Sequence, residues 1–137
     1  SRCFNVGGRC RRYTDYVTAM KRNYEQFPDD DNGNVLWHFR TKGDLLTEPR
    51  EIDFTVIFPS EEAATEFAVI CLRSGFKVEM EESEEHQEDG LDWNVTVYTH
   101  AVPTHSDITT LEASLGEHAE PLGGRTSGWS AIFVPSA

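Results

Sequence analysis

Hydrophobic and polar residues alternate in several short stretches of the chain, and this period of two predicts β-strands with one packed face. The alternation is clearest in Ile52–Phe58, where every second residue is large and apolar. It recurs in Phe76–Met80 and in Leu91–His100. Two further apolar runs, Asn34–Arg40 and Trp129–Val134, are also predicted as strands.

Three other segments space their apolar residues by three and four positions, which predicts amphipathic helices. The first covers Tyr13–Phe27. The second begins after Ser60 and the third after Thr104, because both residues are favoured helix N-caps. Gly75 and Gly123 follow these two helices and are expected to end them, Gly123 in a left-handed conformation.

From Ile52 onward the predicted order is strand, helix, strand, strand, helix, strand. This order is typical of a ferredoxin-like α+β fold (βαββαβ), in which two helices pack on one face of an antiparallel sheet. The segment 13–51 then adds an N-terminal helix and strand to a single domain of residues 13–137, preceded by a flexible basic arm of residues 1–12.

The cellular location follows from three negative features of the sequence. No apolar run is long enough for a membrane span, and "SRCFNVGG" has no apolar signal core. The three cysteines have no paired spacing and do not indicate a disulfide framework. We therefore expect a cytoplasmic protein with no membrane contact.

The charge distribution is the most informative bulk property. The net charge is −12, but residues 1–24 contain six Lys/Arg and one Asp (+5), whereas residues 25–137 contain six Lys/Arg and 23 Asp/Glu (−17). Such an acidic body repels phosphate backbones and favours a basic protein partner over direct nucleic-acid binding. The alternative is that acidity serves solubility alone. The candidate partner-binding residues are Glu79, Glu81, Glu82, Glu84, Glu85, Glu88 and Asp89, with Asp29, Asp30 and Asp31 as a second group.

Catalytic and metal-binding motifs do not emerge from the sequence. The turn "DDDNGN" is not a calcium loop, because Pro28 and Phe39 would stand at ligand positions. "GGRTSG" lacks the Gly-Lys-Ser/Thr ending of a phosphate loop. We expect no enzyme activity, no cofactor and no metal. The rival hypothesis is a small-ligand-binding regulatory domain or an uncharacterised enzyme, with a site near His100–His105 and Trp129.

The glycines of "PLGGRTSGW" have a structural interpretation. We expect Gly124 and Gly128 to shape the turn into the last strand, and Trp129 to anchor that strand in the core between the sheet and the helices. Gly123, Gly124, Gly128 and Trp129 then form a structural signature rather than a catalytic motif.

The ordered set of these features resembles a known family. The stretches "IDFTVIFPSEEAATEFAVICLRSGFKVEM" and "DWNVTVYTHAVPTHSDITTLEASLGEHAEPLGGRTSGW" are similar to the regulator of ribonuclease E activity B family, the RraB-like ribonuclease E inhibitors. The resemblance extends from about Asn34 to Phe133. Its most specific parts are the passage Phe67–Val78 and the closing Gly-Gly-x-x-x-Gly-Trp of Gly123–Trp129.

The resemblance implies a ferredoxin-like domain without catalytic activity. Members of this family bind the non-catalytic scaffold region of ribonuclease E and reduce RNA cleavage by altering the composition of the degradosome. That function agrees with the charge argument, because an acidic domain suits a basic, RNA-binding segment of a partner protein.

Overall fold

The computed structural model describes residues 3–6, 9–12 and 21–135. Two short strands, β1 (Cys3–Val6) and β2 (Arg9–Arg12), pair in antiparallel orientation within the predicted basic arm. The elements that follow are α1 (Asp31–Thr41), β3 (Arg50–Phe58), α2 (Glu61–Arg73), β4 (Lys77–Glu82), β5 (Trp93–Ala101), α3 (His105–Ala119) and β6 (Arg125–Ala131). Among the described residues, no helix has the length and apolar character that crossing a bilayer requires.

Strands β3 to β6 form one antiparallel sheet in the spatial order β4–β5–β3–β6. The predicted order strand, helix, strand, strand, helix, strand is therefore confirmed. Strand β3 lies inside the sheet, between β5 and β6, and is the element around which the others assemble.

The hydrophobic core lies on one face of β3. Its alternate residues are at most 2% exposed, and they pack with apolar side chains of α2 and α3. The rings of Phe58 and Phe67 lie 5.0 Å apart between their centroids. The residues of this layer are Ile52, Phe54, Val56 and Phe58 of β3, Ala64, Phe67 and Cys71 of α2, and Ile108, Leu115 and Ala119 of α3.

The capping signals in the sequence are confirmed. The side chains of Ser60 and Thr104 each accept a hydrogen bond from the backbone N–H three residues later, which satisfies one free donor of each helix N-terminus. Gly75 follows α2 with φ of 92°, and Gly123 follows a short 3-10 turn after α3 with φ of 78°. Both angles lie in the left-handed region, where glycine has no steric penalty.

The prediction of a strand at Asn34–Arg40 is wrong, because these residues belong to helix α1. Asp30 caps this helix by accepting a 2.7 Å hydrogen bond from the backbone N–H of Gly33. Gly33 is required by a close approach, since a Cβ built on it would lie 1.9 Å from the carbonyl oxygen of Pro28. A short apolar run is compatible with the periodicity of a strand or of a helix, and here the Asp30 cap favours the helix.

The predicted N-terminal helix also differs from the structure. Residues 21–27 form an irregular segment that contains a turn, and not the last two turns of a helix. Arg22 donates hydrogen bonds to the carbonyl oxygens of Phe27 and Pro28. The remainder of that predicted helix, residues 13–20, lies outside the described residues.

The last strand begins earlier than predicted, at Arg125, so Gly128 lies inside β6 and not in the turn before it. The register between β3 and β6 shifts at this point: Thr55 faces Gly128, Val56 faces Thr126, and Ser127 is the extra residue. Gly128 has φ of 134°, which suits the position next to a β-bulge.

A buried ion pair between Asp44 and Arg50 joins the loop before β3 to the C-terminal segment. One carboxylate oxygen accepts from Arg50 at 3.0 Å, and the other accepts from Arg50 and from the backbone N–H of Val134. Arg50 also donates to the carbonyl oxygen of Ile132. Burial acts to raise the pKa of Asp44, but the hydrogen bonds from Arg50 and from two backbone N–H groups outweigh it and lower that pKa.

We expect Asp44→Ala to lower the free energy of unfolding by about 3–5 kcal/mol, because it leaves the buried guanidinium without its anion. Arg50→Met should lower the free energy of unfolding by a smaller amount, since Asp44 would keep its hydrogen bonds from the backbone N–H groups of Leu46 and Val134. Urea denaturation of the wild type and both variants measures these differences. A larger loss in Arg50→Met than in Asp44→Ala would contradict this account.

We expect Gly124→Ala to destabilise the domain by about 1–3 kcal/mol through overpacking. A Cβ at Gly124 would lie 2.5 Å from the ring of Phe58 and 2.8 Å from the carbonyl oxygen of Ile57. Gly116→Ala is the matched control, because a Cβ there would meet only the methyl group of Thr126 at 3.8 Å, and alanine favours a helix interior. Thermal unfolding should show a lower Tm for the first variant and an unchanged or higher Tm for the second.

Candidate protein-interaction surface

The face of the sheet opposite the core is polar and is named here the open sheet face. It is defined by the alternation of side chains in each strand and by the strand register. Its residues are Glu51, Asp53, Thr55 and Ile57 of β3, Lys77, Glu79 and Glu81 of β4, Asn94, Thr96, Tyr98 and His100 of β5, and Arg125 and Ser130 of β6. Strand β3 thus has one apolar face and one mainly polar face.

The acidic loop, residues 83–92, connects β4 to β5 next to the open sheet face. Its ends are joined by a hydrogen bond from the N–H of Ser83 to the carbonyl oxygen of Asp92, at 2.8 Å. It contains a 3-10 turn at Gln87–Asp89 that ends at Gly90 with φ of 72°. The predicted strand Phe76–Met80 extends further in the structure, so Glu81 and Glu82 belong to strand β4 together with Glu79.

Two contacts fasten the acidic loop to the far edge of the sheet. His86 Nε2 is hydrogen-bonded to Ser127 Oγ at 3.1 Å, and Arg125 Nη2 donates to Asp89 Oδ2 at 2.9 Å. Because β3 lies between β5 and β6, the loop must cross β3 to make these contacts. The loop therefore accounts for the complete burial of Ile57, whose side chain is on this face.

Asn94 is a buried polar residue of β5, two positions after the acidic loop. It is 7% exposed, and its Oδ1 atom has no hydrogen-bond partner. It pairs with Ile57 on one side and with Glu81 on the other, so it belongs to the open sheet face. A buried acceptor without a donor costs about 1–3 kcal/mol of folding free energy.

Two groups of the open sheet face, Asp53 and Tyr98, have raised pKa values. Burial and the neighbouring carboxylate of Glu51 raise the pKa of Asp53. Tyr98 donates to Glu79 Oε2 at 3.1 Å, and burial followed by this hydrogen bond raises the pKa of the Tyr98 hydroxyl. The Lys77 ammonium lies 4.9 Å from the centre of the Tyr98 ring in a cation–π contact.

The second predicted acidic group, Asp29–Asp31, lies elsewhere in the fold. It is at the N-terminus of α1, where Asp30 is hydrogen-bonded to His105 at 2.8 Å. The hydrogen bond from Gly33, and then that from His105, lower the pKa of Asp30. His105 begins α3 after β5, whereas the acidic loop precedes β5 and contacts β6, so the two acidic groups have different neighbours in the fold.

The histidines and Trp129 of the rival hypothesis have different neighbours. His100 lies at the rim of an open pocket of about 320 Å³, together with Glu51, Lys77 and Tyr98. His105 contacts Asp30, as described above. The structure thus gives His100 a pocket but does not place His105 or Trp129 among its lining residues.

The contacts of Trp129 depend on a residue that sequence reasoning missed. Its Nε1 atom donates to Asn32 Oδ1 at 2.8 Å, and Asn32 in turn donates to Thr109 and Glu112 of α3. Trp129 packs against the core as expected, but its polar partner Asn32 lies on α1, in a segment that the sequence predicts as a turn followed by the strand Asn34–Arg40.

Metal and thiol chemistry find little support in the described residues. In these parts of the chain, no group of three or more His, Cys, Asp or Glu side chains is arranged to hold a metal ion. Cys71 is a buried free thiol, and burial raises its pKa to about 11, which keeps it protonated and unreactive at neutral pH.

We expect the double variant Arg125→Gln/Ser127→Ala to increase amide hydrogen exchange in residues 86–91, because it removes both contacts of the acidic loop to β6. The increase should be at most about tenfold, and the Tm should change little, since both contacts are exposed. Ser130→Ala on the same face of β6 is the control. Unchanged exchange in the double variant would show that these contacts do not hold the loop.

Comparison with known proteins identifies the family of this chain. The family model described as regulator of ribonuclease activity B matches residues 29–131, from just before α1 to the end of β6. No curated protein sequence matches the chain significantly. The resemblance found in the sequence is thereby confirmed, and the match covers the whole sheet and all three helices of the described part. The chain therefore belongs to the RraB family, regulators of ribonuclease activity.

Proposed function

We propose that this domain regulates RNA degradation by binding ribonuclease E as a non-enzymatic inhibitor. The family match is the observation that carries the proposal. The charge supports it, because residues 25–137 have a net charge of −17, from six Lys/Arg and 23 Asp/Glu, and suit a basic partner. The same charge argues against direct RNA binding.

The partner in this proposal is the basic scaffold region of ribonuclease E. Glu84, Glu85 and Glu88 of the acidic loop are exposed and free to meet it. Asp89 accepts a hydrogen bond from Arg125, and Glu79 accepts one from Tyr98, so both carboxylates already have a partner within the domain. Together with Glu81 and Glu82 they form the main contact group.

Asp29 and Asp31 are exposed and provide a secondary contact, whereas Asp30 is engaged in capping α1 and in binding His105. This group lies beside α3, whereas the acidic loop contacts β6, so the two groups are separate contacts for a partner. A partner that uses both groups must be extended or contain two basic segments.

The proposal also includes the fold and the environment. The strand order β4–β5–β3–β6 with βαββαβ connectivity supports a ferredoxin-like domain. The free, buried Cys71 suits a reducing cytoplasm. The function requires no cofactor and no membrane contact.

A second candidate function is small-ligand binding at the pocket beside His100. Its lining includes a cation, Lys77, and an anion, Glu51, which would suit a small zwitterionic or polar molecule. The pocket is shallow and open, and for this reason we prefer the protein-interaction function.

We expect the domain to retain a ribonuclease E scaffold fragment in a pull-down at about 50 mM salt and to lose most of it at about 500 mM salt, because salt screens exposed charges. The catalytic fragment of ribonuclease E is the control bait. Absence of a complex at low salt, or equal retention of both fragments, would refute binding to the scaffold region.

A further inference from the structure

Strand β4 forms one edge of the sheet. It pairs with β5 on its inner side over all six of its residues, without a shift in register. No strand of the described residues pairs with its outer side. The opposite edge strand, β6, contains the bulge at Ser127 and is contacted by the acidic loop. Strand β4 is therefore a regular edge that is open to a further strand.

One hydrogen bond identifies the backbone groups of β4 that point away from β5. The N–H of Ser83 donates to the carbonyl oxygen of Asp92, the residue directly opposite it in the register. Opposite residues of an antiparallel pair alternate between hydrogen-bonded and non-hydrogen-bonded pairs. The N–H and carbonyl groups of Val78, Met80 and Glu82 therefore point outward, and they have no backbone partner among the described residues.

Helix α2 flanks this edge on the core side of the sheet. The hydroxyl oxygen of Thr65 lies 3.9 Å from the sulfur of Met80, which places this side of the helix beside β4. Val69 and Leu72 follow Thr65 on the same side of the helix, one and two turns later, and both are exposed. Val78 and Met80 point to this side of the sheet and are half-buried. An apolar groove therefore runs along the outer edge of β4.

The other side of the same edge is acidic. Glu79 and Glu81 are exposed on the open sheet face, and neither forms an ion pair with a described residue. Lys77 lies on this side too, but its ammonium contacts the Tyr98 ring. On an added strand, a residue opposite either glutamate would have its Cβ about 5 Å from that of the glutamate, on the same face of the sheet. A positive charge is favoured at both places.

An extended segment of alternating basic and apolar residues fits both sides of this edge. Its basic residues would lie opposite Glu79 and Glu81, and its apolar residues would lie opposite Val78 and Met80, beside α2. A second copy of this chain fits less well, because antiparallel pairing centred on Met80 would bring Glu79 opposite Glu81. A helical segment would leave the outward N–H and carbonyl groups of β4 unpaired.

We propose that the outer edge of β4 binds such a segment of the basic partner as a fifth, antiparallel strand of the sheet. The existing pairs of this sheet are antiparallel, and this pairing is slightly more stable per residue than the parallel one. The inference rests on the proposed function and adds to it the binding edge, the conformation of the bound segment, and the apolar contacts of Val69 and Leu72.

Fluorescence anisotropy with the wild-type domain and a peptide of alternating lysine and valine tests the hydrogen bonds. In the proposed pairing the valines lie opposite Val78 and Met80, so their N–H groups point to β4 and those of the lysines point to solvent. N-methylation of the valines should weaken binding at least about tenfold, and N-methylation of the lysines less than about threefold. Absence of binding at low salt, equal losses, or a larger loss for the methylated lysines would overturn the proposal.

Glu82→Pro tests the edge in the protein. Proline is tolerated on an edge strand where the missing N–H would point to solvent, so the Tm should change little. The affinity for the lysine–valine peptide should fall about tenfold, because the substitution removes an outward donor and places the ring on the edge. Glu82→Gln is the matched control, since it removes the same charge but keeps the N–H. Equal affinities in the two variants would contradict strand addition.

The charge complementarity is tested by Glu79→Gln/Glu81→Gln, which should weaken binding of the same peptide about fivefold. Glu117→Gln/Glu120→Gln removes the same number of exposed charges near the C-terminal end of α3, and should change the affinity less than about twofold. A loss in the control as large as in the β4 variant would exclude the pairing of the basic residues with Glu79 and Glu81.

The ribonuclease E scaffold fragment is measured with the two Glu82 variants. Weaker scaffold binding by Glu82→Pro than by Glu82→Gln supports both the function and the edge. Equal scaffold binding by the two variants overturns the edge and leaves the function intact. Peptide binding at the edge without any scaffold binding leaves the edge intact and refutes the proposed function.

Discussion

The position of β3 inside the sheet is the constraint on which the other elements depend. Its backbone is hydrogen-bonded to β5 on one side and to β6 on the other, so the strand has no free edge. One row of its side chains must be apolar to hold both α2 and α3, while the opposite row is free to carry Glu51 and Asp53. The core and the open sheet face are therefore encoded in alternate residues of one nine-residue strand.

The elements that the sequence predicts well are those determined by local signals. The alternation in Ile52–Phe58 and the caps at Ser60 and Thr104 act within a few residues, and the structure retains them. Helix α1 is determined by contacts that a short apolar run does not reveal, namely the Asp30 cap, the approach of Gly33 to Pro28, and packing against α3.

The candidate surface was predictable in its charge but not in its geometry. Counting acids identifies the loop around Glu84–Asp89, yet it cannot place Asp29–Asp31 at the N-terminus of α1 beside His105. The pairing of His86 with Ser127 spans 41 residues, and the missing donor of Asn94 is a property of the folded state alone. Glu51 and Asp53 join the surface only because strand register brings them opposite β5.

The bulge in β6 separates two tasks of that strand. Thr126, Gly128 and Trp129 pair with three consecutive residues of β3, so their faces would be the same in a regular strand that lacked Ser127. Ser127 is therefore not needed for the pairing with β3 or for the position of Trp129, which reaches Asn32. The extra residue instead supplies the hydroxyl that is hydrogen-bonded to His86, so this one insertion in an inner contact of the sheet connects β6 to the acidic loop.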